Sequence, residues 1–246
     1  MFEVKGLHVD VFGKEILNGI ELSIPDGETH ILFGPNGSGK TSLLMAIMGY
    51  PQYKIKSGSI EFNGRRIDTM PVDERARLGI GMYFQRPPSI KGIKLSGMAD
   101  LIKTKNNVNM DPSVAAKALN LGYLMERDIN QGFSGGEIKR SELLQLFAQK
   151  PSFVMFDEPE SGVDIENMKL IGSKIRQLLG RDLDKEKRIK SSLIITHTGY
   201  ILDYVDADYG YTLLDGKIKC RHDAKRLFED IQKNGFRECA ACRDTK

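Results

Sequence analysis

The chain of 246 residues has few cysteines, no long apolar run and almost no excess of either charge. Three cysteines are too few to imply a disulfide framework. Because no stretch of about 18 apolar residues occurs, we expect no direct membrane insertion. Lysines and arginines number 36 against 33 aspartates and glutamates. The resulting net charge of +3 gives no reason to expect nucleic acid or an anionic membrane as a partner.

Repeats and low-complexity tracts are absent as well, and we expect no signal peptide. Residues 1–5 begin a strand pattern instead of a secretion signal, so we expect the protein in the cytoplasm. With 40% hydrophobic residues, the chain is long enough to bury the core of one α/β domain that carries a helical insertion.

The first chemical motif is a glycine-rich loop between a short apolar strand, residues 30–33, and a segment of helical character, residues 42–48. Such glycines let backbone N–H groups turn towards a phosphate, and the helix adds its positive N-terminal end. We predict a P-loop in which Lys40 reaches the β- and γ-phosphates and Thr41 binds Mg²⁺. The alternative is a chance turn before a helix. The predicted nucleotide-binding residues are Gly34, Pro35, Asn36, Gly37, Ser38, Gly39, Lys40, Thr41 and Ser42.

An acidic pair follows a second apolar run. Residues 152–156 have the composition of a parallel strand buried on both faces, and Asp157 and Glu158 come next. Ligands bind at the carboxyl ends of strands in α/β sheets. We therefore predict that Asp157 belongs to the magnesium shell and that Glu158 is the general base that polarises the attacking water. An isolated acidic pair would more often begin a solvated loop, and the P-loop is what favours catalysis here.

A third apolar strand, residues 192–196, ends at His197. A lone histidine at a strand end is most often an ordinary packed or solvated residue. This one would be the third polar group at the same edge of the sheet. We therefore predict that His197 is a catalytic residue that contacts the γ-phosphate and positions the water.

Three further segments resemble those of the ABC ATPases. Residues 134–137, Ser-Gly-Gly-Glu, resemble the family's signature sequence, and residues 161–164 resemble the loop after its acidic pair. Gln85 resembles the glutamine of the family's Q-loop. The resemblance implies that Gln85 contributes to catalysis and to the metal site together with Thr41 and Asp157.

The resemblance also implies that two copies form a homodimer on ATP. In ABC ATPases two nucleotide-binding domains close head to tail, so Ser134, Gly135 and Gly136 would contact the ATP held by the other copy's P-loop. A helix predicted at residues 137–149 would add its positive end to this contact. Alone, a Ser-Gly-Gly turn usually means no more than a helix cap.

Among ABC ATPases, the chain resembles the SufC type, which serves SUF iron–sulfur cluster assembly, over about residues 2–220. Glu137, where most signatures have glutamine, carries much of this likeness together with Gly132 and Phe133. The resemblance implies Mg²⁺-dependent ATP hydrolysis and a soluble SufB- or SufD-like scaffold as partner. The alternative is the ATP-binding subunit of a membrane ABC transporter. ATPases of the SMC or Rad50 kind are disfavoured because the 94 residues between the P-loop lysine and the signature leave no room for a coiled coil.

We predict a single ABC ATPase domain over residues 1–246, with an α/β P-loop NTPase core, an antiparallel β subdomain and an inserted helical subdomain. The core would comprise residues 1–85 and 134–230, the insertion about 86–133, and a tail about 235–246. Antiparallel strands are predicted within residues 2–33, and a strand pair at 58–67 turns at 63–64. Predicted helices cover residues 95–103, 111–121, 123–128, 165–179, 200–204 and 223–233.

Two groups have alternative interpretations. Phe12 lies in the first hairpin, where ABC ATPases commonly have an adenine-stacking aromatic, and it could equally be an apolar anchor of that hairpin. The C-x-H and C-x2-C spacing typical of metal ligands occurs near the end of the chain, at Cys220, His222, Cys239 and Cys242. They could bind zinc or contact an iron–sulfur cluster. The favoured interpretation is two unligated thiols near the chain end in a reducing compartment.

Overall fold

The computed structural model describes the backbone of residues 1–238 and the side chains of residues 1–236. The strands are β1 (Phe2–Val11), β2 (Lys14–Ile24), β3 (Thr29–Phe33), β4 (Tyr53–Phe62), β5 (Arg65–Arg66), β6 (Ile80–Tyr83), β7 (Ile90–Lys94), β8 (Asp128–Ile129), β9 (Phe153–Asp157), β10 (Ser191–Thr196), β11 (Tyr209–Leu214) and β12 (Lys217–Asp223). The helices are α1 (Lys40–Met48), α2 (Val72–Arg77), α3 (Leu95–Lys105), α4 (Pro112–Ala118), α5 (Gly135–Gln149), α6 (Ile165–Leu179) and α7 (Ala224–Glu238).

A six-stranded sheet in the order β12-β11-β3-β10-β9-β6 forms the centre of the molecule. All its pairings are parallel except that of β11 with β12. Successive residues of β9 enter two different cores, with Val154 and Phe156 on one face and Phe153 and Met155 on the other. A parallel strand covered on both faces has to be apolar throughout, which explains the continuous run in the sequence.

One face of this sheet is covered by α1 and by an antiparallel sheet in the order β2-β1-β4-β5. The burial along β1 and β2 largely alternates, as expected for strands with one wet face. The prediction of antiparallel strands over residues 2–33 is confirmed for β1 and β2 and is wrong for β3. All five residues of β3 are buried, and it pairs in parallel with β10 and β11.

The other face is covered by helices α3 to α7. The segment predicted as a helical insertion, residues 86–133, contains α3 and α4 and also a two-stranded sheet of β7 and β8. The helix predicted at residues 123–128 is wrong, since a 3-10 turn covers only Gly122–Leu124. The carbonyls of Met125 and Arg127 instead accept the first two N–H groups of α3 at 2.9 and 3.0 Å. Residues 125–127 thus serve as a cap for α3.

Other boundaries differ less. The helix predicted at residues 200–204 is a 3-10 turn, Tyr200–Asp203, and α4 begins after its N-cap Asp111. Helix α7 runs to Glu238, past non-helical backbone at Gly235, and so overlaps the predicted tail. Among the helices of residues 1–238, none is both long and apolar enough to cross a bilayer.

Candidate nucleotide-binding and catalytic site

The P-loop joins the end of β3 to the start of α1, as the sequence predicted. Gly39 has φ 106°, a left-handed conformation that favours glycine. A Cβ at Gly34 would lie 2.5 Å from the carbonyl oxygen of Leu213, so a larger residue does not fit. The ammonium of Lys40 donates to the carbonyls of Gly34 and Pro35 at 2.7 and 3.1 Å. The Lys40 ammonium is therefore held by the backbone of the P-loop itself.

Two buried groups of the loop suit a bound phosphate. Burial lowers the pKa of Lys40, although the carboxylates of Glu158, Asp157 and Glu160 favour its charged form. The hydroxyl of Ser38 is buried and has no hydrogen-bond partner among the described residues. A phosphate oxygen would accept from both groups and would offset the cost of burying them.

An open cleft of about 560 Å³ lies beside the loop. Residues of the P-loop and α1 line it together with Gln85, Glu158, His197 and Ile16. No sequence pattern pointed to Ile16, an apolar residue of β2. Phe12 is 93% exposed at the tip of the β1–β2 hairpin and does not line the cleft. Adenine stacking by Phe12 stays a prediction.

Glu158 lies between the other two polar residues of the predicted catalytic set. The amide nitrogen of Gln85 donates to its Oε2 at 2.6 Å, and Nδ1 of His197 lies 2.9 Å from its Oε1. Glu158 has φ 46°, which turns the chain sharply at the end of β9, and its N–H donates to the carbonyl of Ile195 on the neighbouring strand. Three strand ends that are far apart in sequence thus bring together one acid, one amide and one imidazole. Their catalytic roles stay predictions.

The residues predicted to hold a metal also lie close together. The Thr41 hydroxyl is 3.3 Å from Asp157 Oδ1, so both oxygens can coordinate the same cation. Burial raises the pKa of Asp157 to about 6. A buried carboxylate and a hydroxyl are the hard oxygen ligands that Mg²⁺ prefers, and a cation here would offset the burial of the charge. Gln85, the third residue predicted for this set, lines the same cleft as Thr41.

Glu160 is a buried acid at this edge that sequence reasoning missed. Its Oε1 accepts from the hydroxyls of Thr196 and Thr198, the latter at 3.0 Å, and so it binds the residues on both sides of His197. Its Oε2 is buried without a partner in the described part of the chain. Burial raises the pKa of Glu160. Only the folded chain brings it to His197, so no local pattern could have shown this contact.

The signature segment lies outside the cleft. Ser134 caps α5, and Glu137 accepts from the Ser134 N–H at 2.6 Å while its own N–H donates to the Ser134 hydroxyl at 3.4 Å, which forms a capping box. A Cβ at Gly135 would lie 2.9 Å from the Gly162 carbonyl oxygen. Ser134 and Gly135 are exposed and do not line the chain's own nucleotide cleft.

The described structure gives the cysteine hypothesis no support. Cys220 and His222 lie two residues apart on β12, and Cys220 is buried beside Thr212. Cys239 and Cys242 lie outside the described residues. Among the side chains of residues 1–236, no group of three or more histidines, cysteines, aspartates or glutamates could hold a metal ion.

A P-loop, an acidic pair and a histidine at one edge of a parallel sheet, with a capped Ser-Gly-Gly-Glu helix beside it, define the class of ABC ATPases. The family model described as ABC transporter matches residues 17–161, and the chain belongs to this family. It is accordingly an ATP-binding and ATP-hydrolysing enzyme.

The relatives agree with this assignment. The chain is 36% identical over 248 residues to a probable ABC transporter ATP-binding protein of Streptococcus pyogenes serotype M3, covering 96% of this chain and 93% of that protein. It is 34% identical over 250 residues to the probable ATP-dependent transporter SufC of Escherichia coli K12, covering 96% and 97%. Its fold matches a dimeric, post-hydrolysis ATP-binding cassette bound to ADP and Pi, with TM-score 0.75, 21% identity and coverage of 91% and 99%. The predicted SufC-like resemblance and the α/β P-loop fold are confirmed.

Proposed function

We propose that this chain is the ATPase subunit of an iron–sulfur cluster assembly system, in which it drives a conformational change in a soluble scaffold of the SufB or SufD type. The observation that carries the proposal is the similarity to SufC, which extends over 96% of this chain and 97% of that protein. This assignment requires a scaffold in the cytoplasm as the partner. We therefore propose that the chain is located in the cytoplasm too.

In the proposed mechanism, ATP binds with its phosphates in the P-loop. Lys40 leaves the carbonyls of Gly34 and Pro35 and donates to the β- and γ-phosphates, which replaces two neutral acceptors by charged ones. Thr41 and Asp157 would hold Mg²⁺, which when bound would neutralise charge on the transferring phosphoryl group.

Glu158 accepts a proton from the attacking water, while His197 and Gln85 orient it. Both side chains already bond to the Glu158 carboxylate, one on each oxygen. A base with both oxygens engaged is held in a single orientation, so the water it accepts from is held in line as well.

We propose further that ATP closes two copies head to tail. The N-terminus of α5, where Ser134 and Gly135 are exposed and Gly136 is buried, would cover the nucleotide in the other copy. One matched cassette structure is a dimer, which supports this arrangement by likeness of fold. Closure on ATP and opening on product release would supply the motion that the scaffold uses.

Affinity purification from native extract tests the partner. We expect the tagged chain to bring down a soluble iron-binding scaffold from the clarified cytosol, and the purified scaffold to raise its ATPase rate. Lys40→Ala serves as the matched control, since it should keep the docking surface and lose the stimulation.

The second candidate is the ATP-binding subunit of a membrane transporter. It is favoured by the Streptococcus pyogenes relative, whose name is that of an ABC transporter ATP-binding protein. This candidate predicts that the chain sediments with membranes and co-purifies in detergent with a polytopic protein. That outcome would replace the scaffold assignment and leave the ATPase assignment unchanged.

A further inference from the structure

Helix α5 is bound to the Q-loop by two buried charged side chains that the mechanism above does not use. The ammonium of Lys139 donates to the carbonyls of Phe84 and Gln85 at 3.1 and 3.0 Å. Glu142 Oε2 accepts the Phe84 N–H at 2.8 Å. Both side chains are buried, with 3% of Lys139 and 6% of Glu142 exposed. Three polar backbone groups of residues 84–85, directly after β6, are therefore satisfied by one helix.

Lys139 and Glu142 are three residues apart and so share one face of α5. The Lys139 ammonium also lies 4.9 Å from the centre of the Tyr83 ring. Burial lowers the pKa of Lys139 and raises the pKa of Glu142 to about 8. Buried ionisable side chains often stabilise a fold no better than apolar residues of the same volume. What apolar residues could not do here is bind the Q-loop backbone.

The Q-loop segment leads directly to the catalytic set. The side chain of Gln85 donates to Glu158 at 2.6 Å, so whatever fixes the Gln85 main chain also fixes this contact. Helix α5 itself begins at Gly135, directly after its N-cap Ser134 in the signature. The helix is thus a rigid connection between the signature and the Q-loop of the same chain.

We propose that Lys139 and Glu142 are positioning residues for ATP hydrolysis. They hold the main chain of residues 84–85 so that the Gln85 side chain stays on Glu158, and they connect the helix that begins at the signature to the general base. The inference rests on the roles proposed above for Gln85 and Glu158. It adds that contact at the α5 N-terminus is transmitted to the chain's own water-activating group.

The test is ATP hydrolysis by purified variants, each measured with Gln85 present and in a Gln85→Ala background. In Lys139→Met and Glu142→Leu we expect kcat to fall about tenfold while KM changes less than about twofold. Glu142→Gln keeps an oxygen that can accept the Phe84 N–H, so it should retain most of the activity. Lys169→Met, at an exposed lysine of α6, is the control and should match the wild type.

The Gln85→Ala background separates positioning from a general structural role. If Lys139 and Glu142 act through Gln85, their substitution lowers kcat no further once Gln85 is gone. If Lys139→Met does not fold, Lys139→Gln carries the test. It keeps an N–H donor, and we expect a loss of about threefold that again disappears in the Gln85→Ala background.

Two results would overturn the inference. One is a wild-type kcat for both Lys139→Met and Glu142→Leu while Gln85→Ala is impaired, which leaves the proposed catalytic set intact. The other is an equal loss with and without Gln85, which means that the pair only supports the fold. An active Gln85→Ala variant would instead reject the role proposed for Gln85, and the inference with it.

Discussion

Single residues decide the chemistry at the carboxyl edge of the sheet. Glu158 has a partner on each carboxylate oxygen, whereas Asp157 has one hydroxyl partner and a pKa raised to about 6 by burial. Two neighbouring acids thus have different surroundings. A group held by Gln85 and His197 is placed to accept a proton, and a buried carboxylate beside Thr41 is placed to hold a cation.

The first prediction separates binding from chemistry at two residues. Lys40→Ala should abolish tight ATP binding because it removes the buried cation that faces the phosphates. Glu158→Gln should bind ATP normally and lose at least about 100-fold in kcat, because an amide cannot accept the proton from water. Equilibrium binding of a fluorescent ATP analogue and steady-state hydrolysis give the two values. Rapid turnover by Glu158→Gln would disprove the assigned base.

The second prediction concerns Glu160. Its carboxylate holds Thr196 and Thr198, so Glu160→Leu should release the loop that carries His197 and lower kcat about tenfold with little change in KM. Glu160→Gln keeps an acceptor oxygen and should recover most of this loss. In a His197→Ala background the Glu160→Leu substitution should have no further effect, and an additional loss there would contradict positioning through His197.

At the scale of elements, Arg75 of α2 fixes the end of the P-loop helix. Its guanidinium donates to the carbonyls of Ala46 and Ile47 in the last turn of α1, at 2.9 and 2.7 Å. It also donates to the carbonyls of Asp68 and Met70. Only 2% of Arg75 is exposed, and burial lowers its pKa to about 10, so it stays charged at neutral pH.

The third prediction is that Arg75→Met lowers the free energy of unfolding by about 2–4 kcal/mol. The substitution removes the guanidinium donor from four carbonyls, of which Ala46 keeps the Gly49 N–H. A urea titration followed by circular dichroism measures the loss. Arg77→Met on the same helix is the control, since the ion pair of Arg77 with Asp73 is exposed and should contribute less than about 1 kcal/mol. Equal effects at the two positions would contradict the assignment.

At the scale of the whole molecule, the question is whether one chain contains a complete site. The P-loop, Glu158 and His197 meet in one cleft, whereas the signature at Ser134 is exposed elsewhere. A head-to-tail dimer would unite the two parts twice, once for each nucleotide.

The fourth prediction tests this by mixing two inactive variants. Lys40→Ala has a broken P-loop, and Ser134→Glu presents a negative charge to the other copy's nucleotide. Each alone should be nearly inactive. An equal mixture should recover about a quarter of the wild-type rate, because half the dimers are mixed and each of those has one complete site. A mixture no more active than its components would show that the signature does not serve the other copy.

The sequence alone predicted the features of this protein that are encoded within one short segment of the chain. The P-loop, the apolar strand before Asp157 and the strand before His197 each lie in one short segment, and parallel strands bring their carboxyl ends to a common edge. The capping box of Ser134 and Glu137 is likewise local. Such signals depend on nearest neighbours along the chain, and these segments lie where they were expected.

Tertiary structure alone decided which distant groups meet. Arg75 at the end of α1, Glu160 at the His197 loop, and Lys139 with Glu142 at the Q-loop are all buried charges whose partners lie on other elements. Tertiary structure also decided that β3 pairs in the parallel sheet and not with the antiparallel strands that precede it. A buried charge persists only where a partner is supplied across space, and the identity of that partner depends on how the elements pack.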